Sequence, residues 1–461
     1  MRSFEKAGLV GLGLVVGVSL SLHFAAMAEK ETVTTHLPVE ELHAFTEVFG
    51  QIKSSYVEPV SDKQLFTDAI KGMVGGLDPH SAYLDADDFK DLQAGTQGEF
   101  GGLGIEVGME DGLIKVISPI EDTPAYLAGV KAGDLILKLD DSLVKGMSLN
   151  DAVKRMRGKP GSKITLTILR KNEHKPIIIT VARAVIKVQS VKAKLLESGY
   201  AFVRITQFQE HTGENLSTAL EKLVKENKGA LKGLVLDLRN DPGGLLDGAV
   251  AVSAAFLAPD ALVVYTEGRT EEAKMHLTAS PEYYLHGNAK NDYEKIIPAS
   301  IKSVPMIVLV NGGSASASEI VAGALQDHKR AVIMGTQTFG KGSVQTVLPL
   351  GNNTAIKLTT ARYYTPGGRS IQAKGIVPDI IVEDPTSTGT DSVFNLRESD
   401  LDKHLNNDKQ ADDKADFSHK KNTESKNNSE SSAPVEFGTK SDYQLNQAIN
   451  LLKGMSILQG K

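Results

Sequence analysis

Ser316 is the residue whose surroundings most favour chemistry. It sits in Asn311-Gly312-Gly313-Ser314-Ala315-Ser316-Ala317-Ser318-Glu319-Ile320, where an apolar run ends in small residues and a helical pattern begins. Backbone N–H groups at a helix start have no partner inside the helix and can hold a developing oxyanion. Small residues let a substrate approach the main chain closely. A serine here is placed to act as a nucleophile. The same letters, Ser316-x-x-Glu319, also match a capping box, in which the serine only caps the helix.

A second segment, Thr338-Phe339-Gly340-Lys341-Gly342-Ser343-Val344-Gln345, frames one lysine between two glycines. A solvated lysine has a pKa of about 10.4. Burial depresses it by up to about 3–5 units, enough to make a base near neutral pH. A neutral lysine could take the proton of a serine. A phosphate-binding loop of the form G-x-x-x-x-G-K-[ST] does not fit, because Gly342 follows the lysine. A third segment, Leu236-Asp237-Leu238-Arg239-Asn240-Asp241-Pro242-Gly243-Gly244, ends a strand in a polar turn. Its amides could supply an oxyanion donor. By itself it also reads as a tight turn with a structural Asp237–Arg239 pair.

The elements around these segments read as α/β. Leu234–Leu238 and Met306–Val310 are largely apolar runs, as in strands buried on both faces. Leu216–Val224, Gly248–Phe256 and Ser316–Leu325 read as helices between strands, so the spacing predicts a largely parallel sheet over about 186–385. Residues 98–185 differ. Leu103–Val107, Leu113–Ile117, Leu135–Leu139 and Ile164–Leu169 are short β-rich runs around one helical piece, Ser148–Met156, which suggests a small barrel or sandwich. Before them, 29–97 looks helical, with Leu42, Phe45, Val48, Phe49 and Ile52 at helical spacing. His80, in turn chemistry, reads as structural. The fold class is thus multidomain α+β.

The ends bound the setting. Arg2 and Lys6 precede an uncharged run to Leu22, and His23-Phe24-Ala25-Ala26-Met27-Ala28 offers a small-residue exit before Glu29. This predicts a signal peptide over 1–28 or, if uncleaved, a membrane anchor through 7–28. Either places the rest of the chain outside the cytoplasm, on the periplasmic side of the cell envelope. Residues 386–441, rich in Asp, Asn, Lys and Ser, are expected to form a disordered linker. Over 442–461, Leu445, Ile449, Leu452 and Ile457 can form one helix face, to dock or to fray. The 461 residues exceed one domain. A net charge of −6 gives no overall pull towards nucleic acid, and the lack of cysteine excludes disulfides, thiolate metal sites and a cysteine nucleophile.

Taken in this order, the three segments resemble the C-terminal processing peptidases, or tail-specific proteases, over about Glu40 to Glu383. The resemblance implies a crotonase/Clp-like α/β core and a serine endopeptidase. In that family the serine three positions before the glutamate is the nucleophile, which matches Ser316. A lysine 25 residues on is the base, which matches Lys341, and a glutamine four positions later, Gln345, would orient it. Some members count an aspartate 11 residues after the serine, here Asp327. The oxyanion donors would be the N–H of Ala317 and of one glycine of Gly243-Gly244. The β-rich module then reads as a PDZ domain, with Gly102, Leu103, Gly104 and Ile105 as its carboxylate loop and an apolar pocket beside the Ser148–Met156 helix.

The expected substrates are proteins with apolar C-terminal tails, bound by strand addition and carboxylate capture. No cofactor, metal or nucleic acid is implied. The resemblance admits an adaptor protein and homo-oligomers, as family members often use either. Two other readings compete. One is a catalytically silent PDZ adaptor, which an altered serine or lysine would support. The other is a hydrolase with a histidine base, His328 or His211.

Overall fold

The computed structural model describes residues 38–458, apart from 111, 121–122, 148, 172, 174, 188, 198, 286–291, 384–396 and 409–436. The expected signal or anchor segment and most of the expected linker lie outside the described residues. No described helix is long and apolar enough to cross a membrane. The chain divides into two units, Met1–Ala69 and Ile70–Lys461.

In the first unit, helix α1 (Val39–Ser55) and the first part of α2 (Asp62–Gly75) form a hairpin. Phe66 closes it, with ring centroids 6.3 and 5.1 Å from Phe45 and Phe49. Lys53 and Asp62 form an ion pair at 2.8 Å across the turn. Phe45 and Phe49 come from the helical spacing seen in the sequence, although Phe45 and Phe66 remain largely exposed.

The second unit starts with strand β1 (Ala82–Leu84) and helix α3 (Ala86–Gln97). The side chain of Asp85 caps α3 by accepting from Asp87 and Asp88 N–H. Strand β2 (Glu99–Gly102) then enters the β-rich module. Its body is an antiparallel sheet of β3 (Ile105–Glu110), β4 (Leu113–Pro119), β5 (Leu135–Leu139), β7 (Lys163–Leu169) and β8 (Ile177–Ala182), with β6 (Ser142–Leu143) on β5. The short helix α4 (Pro124–Leu127) and α5 (Leu149–Met156) complete it. Strand alternation puts Ile164, Leu166 and Ile168 inside. They form one core with Leu103, Ile114, Val116, Ile136, Ala152 and Met156. Among the described residues strand β3 is bonded only to β4, so it is an edge of this sheet. Strand β9 (Ala184–Lys187) pairs back onto β2 and leads into the larger core.

That core has a six-stranded sheet in the order β10 (Val191–Glu197), β11 (Tyr200–Ile205), β12 (Gly233–Asp237), β15 (Met306–Val310), β16 (Val332–Gly335) and β19 (Ile380–Ile381). All neighbours are parallel except β10–β11. Helices α6 (Thr212–Glu226), α7 (Leu246–Ala254) and α9 (Ala317–Asp327) share one apolar core with Val203, Leu234, Leu236, Val308 and Val310. The alternate residues Phe202, Val235, Ile307 and Leu309 face the other way, against Leu445, Ala448, Ile449 and Leu452 of the last helix, α10 (Tyr443–Leu458). The period of two in the strands thus demands a helix on each face, and the C-terminal helix supplies the second.

Two features depart from the sequence expectations. Strands β1, β13 (Leu262–Gly268), β14 (His276–Thr278), β17 (Ser343–Pro349) and β18 (Ala355–Tyr364) form a separate antiparallel sheet, with a short helix α8 (Pro281–Tyr284) after β14. The region expected to be helical therefore contributes a strand to the core. Residues 397–408 were expected to lie in a disordered linker. They are packed instead, with Glu398 fully buried, because its carboxylate finds polar partners there.

Candidate active site

Strand β15 and helix α9 meet in a sharp elbow whose apex is Ser316. Its φ of 54° and ψ of −113° lie in a region that side chains other than hydrogen rarely adopt. Such a residue costs about 1–3 kcal/mol and persists only when its surroundings over-determine it. Those surroundings are hydrogen bonds between two loops. Ser314 Oγ donates to Leu238 O at 2.8 Å. Ala315 N–H and Ser318 Oγ both donate to Asp241 O, at 3.0 Å each. Asn311 Nδ2 donates to Asn240 Oδ1 at 2.7 Å. Ser316 is half-buried while Ala315, Ala317 and Ser318 beside it are buried, so the elbow presents it outwards.

Glu319 is what the capping-box pattern pointed to, but its reach is wider than a cap. Its carboxylate is fully buried and accepts four hydrogen bonds. Oε2 accepts Ser316 N–H at 2.8 Å and Lys341 N–H at 2.9 Å. Oε1 accepts Gly340 N–H at 2.7 Å and the Thr338 hydroxyl at 2.5 Å. Burial pushes this carboxyl up to about 7. Three of the partners are N–H donors, and Thr338 Oγ1, which accepts Ile376 N–H at 2.6 Å, gives its own proton as the fourth. The carboxylate form, an acceptor at both oxygens, satisfies all four. One side chain thus ties the serine and the lysine loop together across 25 residues of sequence.

Lys341 lies below the ordinary lysine range, chiefly because burial disfavours its charge and secondarily because Lys357 is near. The carboxylates of Glu398, Glu319 and Asp78 act in the opposite direction. Among the described residues its Nζ makes no hydrogen bond with Ser316 Oγ. The Tyr363 hydroxyl donates to Lys341 O and lies against the Ser316 hydroxyl. Gln345 Nε2 donates to Ser343 Oγ at 3.0 Å and Thr359 Oγ1 at 3.2 Å, and its expected contact with Lys341 is not made. Catalytic contacts commonly tighten only when substrate is bound.

The third segment meets the other two here. Gly243, at φ 94°, is so close to the elbow that a Cβ would lie 2.8 Å from both Ala317 N and Ser316 Cβ. Its N–H is already given to Asp241 Oδ1 at 2.9 Å. Ala317 N–H is the first of α9, and a Cβ on Gly244 would fall 2.0 Å from Phe208 O. Asp237 and Arg239 are structural, as the turn reading had it. Asp237 accepts from Arg204 and Arg239, and Arg239 reaches on to Asp442 at 2.7 Å.

Asp327 is not brought to the site. It ends α9, about 16 Å along the axis from Ser316 at ~1.5 Å per residue. It accepts Gly367 N–H at 2.7 Å and pairs with Arg369 at 2.5 Å. His328, next to it, is bonded to Leu262 O at 2.7 Å, and His211 lies near Glu214 at 3.5 Å. Among the described residues no group of three or more His, Asp or Glu could hold a metal. In the β-rich module, Leu103 O accepts Ala125 N–H, and Gly104 O accepts Ile120 N–H and the Thr123 hydroxyl, which pins the loop. Gly104, at φ 79°, has no room for a Cβ, which would fall 2.2 Å from Thr123 Cβ. Leu103 itself is core. Ile105, Val107, Leu149 and Val153 are only partly buried at the β3 edge and on α5.

A strand-to-helix serine elbow in an α/β core, beside a β module with an open edge, defines a serine-type peptidase with a PDZ domain. The Peptidase family S41 model matches residues 199–382, the PDZ domain model residues 101–181, and the activating protease CtpB N-terminal domain model residues 19–88. The carboxy-terminal-processing protease of Bartonella bacilliformis is 46% identical over 445 residues, covering 95% of each chain. Carboxy-terminal processing protease CtpA of Bacillus subtilis is 35% identical over 389 residues, 83% of this chain and 78% of that one. Among solved structures, the photosystem II D1 C-terminal processing protease is 29% identical, covers 78% of this chain and 92% of its own, and has a TM-score of 0.44. The chain belongs to the carboxy-terminal processing proteases of peptidase family S41, which are serine-type peptidases.

Proposed function

We propose that this protease is exported and cleaves proteins near their C-terminal ends with a Ser316–Lys341 dyad, after its PDZ domain has bound the substrate tail. The observation that carries the dyad is Glu319, whose one carboxylate accepts the backbone N–H of both residues. Burial holds Lys341 below its usual range, which favours the neutral form that a base needs. It takes the proton of Ser316 as Oγ attacks the scissile carbonyl. The oxyanion turns to Ala317 N–H and Gly244 N–H. The ammonium of Lys341 returns the proton to the departing amine. The neutral lysine then takes a proton from the water that attacks the ester, and its ammonium returns that proton to Ser316 Oγ as the acid leaves.

The tail reading is supported by the β3 edge, on which an extended peptide would add as a strand, and by the fixed loop Gly102–Ile105, whose amides would meet its carboxylate. Export rests on the segment before Glu29. N-terminal sequencing of the mature protein in the cell envelope, with Glu29 first, checks cleavage, and a full-length protein confined to the cytosol excludes export.

Ser316→Ala and Lys341→Ala test the dyad. Each is expected to lower kcat by about 10⁴-fold or more with the fold retained, and the double variant to add little, since residues that act as a unit are not additive. A fluorophosphonate should label the wild type at Ser316. Appreciable turnover by a folded Lys341→Ala enzyme excludes the lysine as base.

A further inference from the structure

Behind Lys341 lies a polar cluster that the dyad does not use. Its centre is Glu398, fully buried and carried by residues 397–408, beyond the end of the S41 match at residue 382. Glu398 N–H donates to Phe339 O at 3.1 Å, two residues before Lys341. Its Oε1 accepts from Gln372 Nε2 at 2.9 Å. Gln372 Oε1 accepts the N–H of Gly342, the residue after Lys341, at 3.0 Å. His80 Nε2 lies 3.0 and 2.8 Å from the two oxygens of Glu398. The strap is fastened further along, where Asn407 Nδ2 donates to Gln372 O at 2.8 Å and Gln372 Nε2 to Leu405 O at 3.0 Å.

We propose that Glu398 is a positioning residue for the reaction: brought in from outside the peptidase core, it clamps the main chain on both sides of Lys341 and sets a buried negative charge beside the lysine. The inference rests on reading Lys341 as the general base. The charges facing that lysine are Lys357, Glu398, Glu319 and Asp78. Glu319 is spent on four donors. Asp78 is spent on the hydroxyls of Ser81 and Thr359 and the N–H groups of His80 and Ser81. Glu398 is the one of the three whose N–H bonds the base loop, at Phe339 O, while its carboxylate reaches the far side of Lys341 through Gln372. Burial and Lys357 together push the lysine towards neutrality, and a base that is too weak accepts a proton poorly. A fixed anion in a dry site restores basicity and holds the ammonium that forms as Ser316 is deprotonated.

The test is the pH profile of kcat/KM for the full-length enzyme on an internally quenched peptide with an apolar free C-terminus. Glu398→Gln keeps the size and can still accept from Gln372 and stay within reach of His80, but it carries no charge. Loss of the anion lowers the pKa of the lysine. The acid limb should therefore move down by about half a pH unit or more, with kcat reduced about tenfold and KM little changed. Glu398→Asp keeps the charge and shortens the reach, so its limb should stay while kcat falls. A merely structural role would lower activity without moving the limb in Glu398→Gln. A folded Glu398→Gln enzyme with an unmoved limb overturns the proposal. If that variant does not fold, a Glu398→Asp enzyme with unchanged kcat overturns it. Lys341→Ala is measured alongside. An inert Lys341→Ala with an unmoved Glu398→Gln profile sinks this inference alone, whereas an active Lys341→Ala sinks the base reading as well.

Discussion

Single side chains decide this site through their hydrogen-bond inventories. Glu319 offers four lone-pair positions to four donors, and no neutral residue can copy that. In Glu319→Gln the amide nitrogen would face the N–H groups of Ser316 and Lys341, or that of Gly340 beside the Thr338 hydroxyl. The variant should lose about 1–3 kcal/mol of stability, since at least one buried N–H is left unsatisfied. It should also lose about 10²-fold or more in kcat, because the serine and lysine are no longer held to one point. Urea denaturation and kinetics on the purified variant check both; near-wild-type kcat would show that the elbow and base loop are held by other means. Asp241 behaves differently. It is fully buried and, among the described residues, its Oδ2 has no hydrogen-bond partner, and burial pushes its carboxyl up to about 8. An unfolded chain releases that proton near pH 4. Between about pH 4 and 8 the folded state therefore binds the extra proton, and stability falls as pH rises. Asp241→Asn mimics the protonated form and keeps an acceptor for Gly243 N–H. Its urea midpoint should change less than that of the wild type between pH 5 and 8. Parallel pH dependences for the two proteins would contradict the assignment.

Among the elements, the last helix matters beyond its size. Its Leu445, Ala448 and Leu452 cover the sheet face that the other helices leave bare. The segment just before it anchors Arg239, which is fully buried between Asp237 and Asp442. Arg239 lies next to the turn of Asn240 to Gly244 that borders the elbow. Truncating one partner of a buried ion pair strands the other charge. Asp442→Ala should therefore cost about 3–5 kcal/mol, read as a lowered denaturant midpoint. Its hydrogen bonds to Arg239 hold the Asp442 carboxyl below the usual carboxylate range against the opposing effect of burial. The stability it supplies is thus complete above about pH 4 and lost as the pH falls through the lower folded-state value. The wild type should show this extra acid sensitivity and Asp442→Ala should lack it. Equal losses on acidification would place the sensitivity elsewhere.

At the scale of the whole molecule, the expected property is selection of substrates by their last residues. The fixed loop at Gly102–Ile105 and the β3 edge suit a free carboxylate and an extended tail. A peptide ending in small apolar residues should be cut with a higher kcat/KM than its C-terminal amide, which lacks the charge the loop would bind. A terminal Asp pair should slow cleavage too, because it would place charge at the partly buried Ile105, Val107, Leu149 and Val153. Deleting residues 100–185 should erase these differences. Equal cleavage of all three peptides by the intact enzyme would mean that the PDZ domain does not choose substrates by their C-termini.

Local signals were enough for the serine elbow, the glycine-framed lysine and the buried strands. A run of small residues between an apolar stretch and a helix leaves few backbone options, and apolar runs at Leu234–Leu238 and Met306–Val310 have only one environment to go to. The spacing of short β runs likewise foretold the small module and its helix. What local pattern could not contain was the meeting of distant polar groups. Asp327 has the right offset from Ser316, yet a straight helix carries it to the far end, where Arg369 takes it. Glu319 looked like a cap because its links to Thr338, Gly340 and Lys341 span about twenty residues and leave no periodicity. His80 and Glu398 are 318 positions apart, one in a turn and one in a polar stretch that composition assigns to a linker. A buried carboxylate is stable only where donors converge on it, and that convergence is a property of the folded chain.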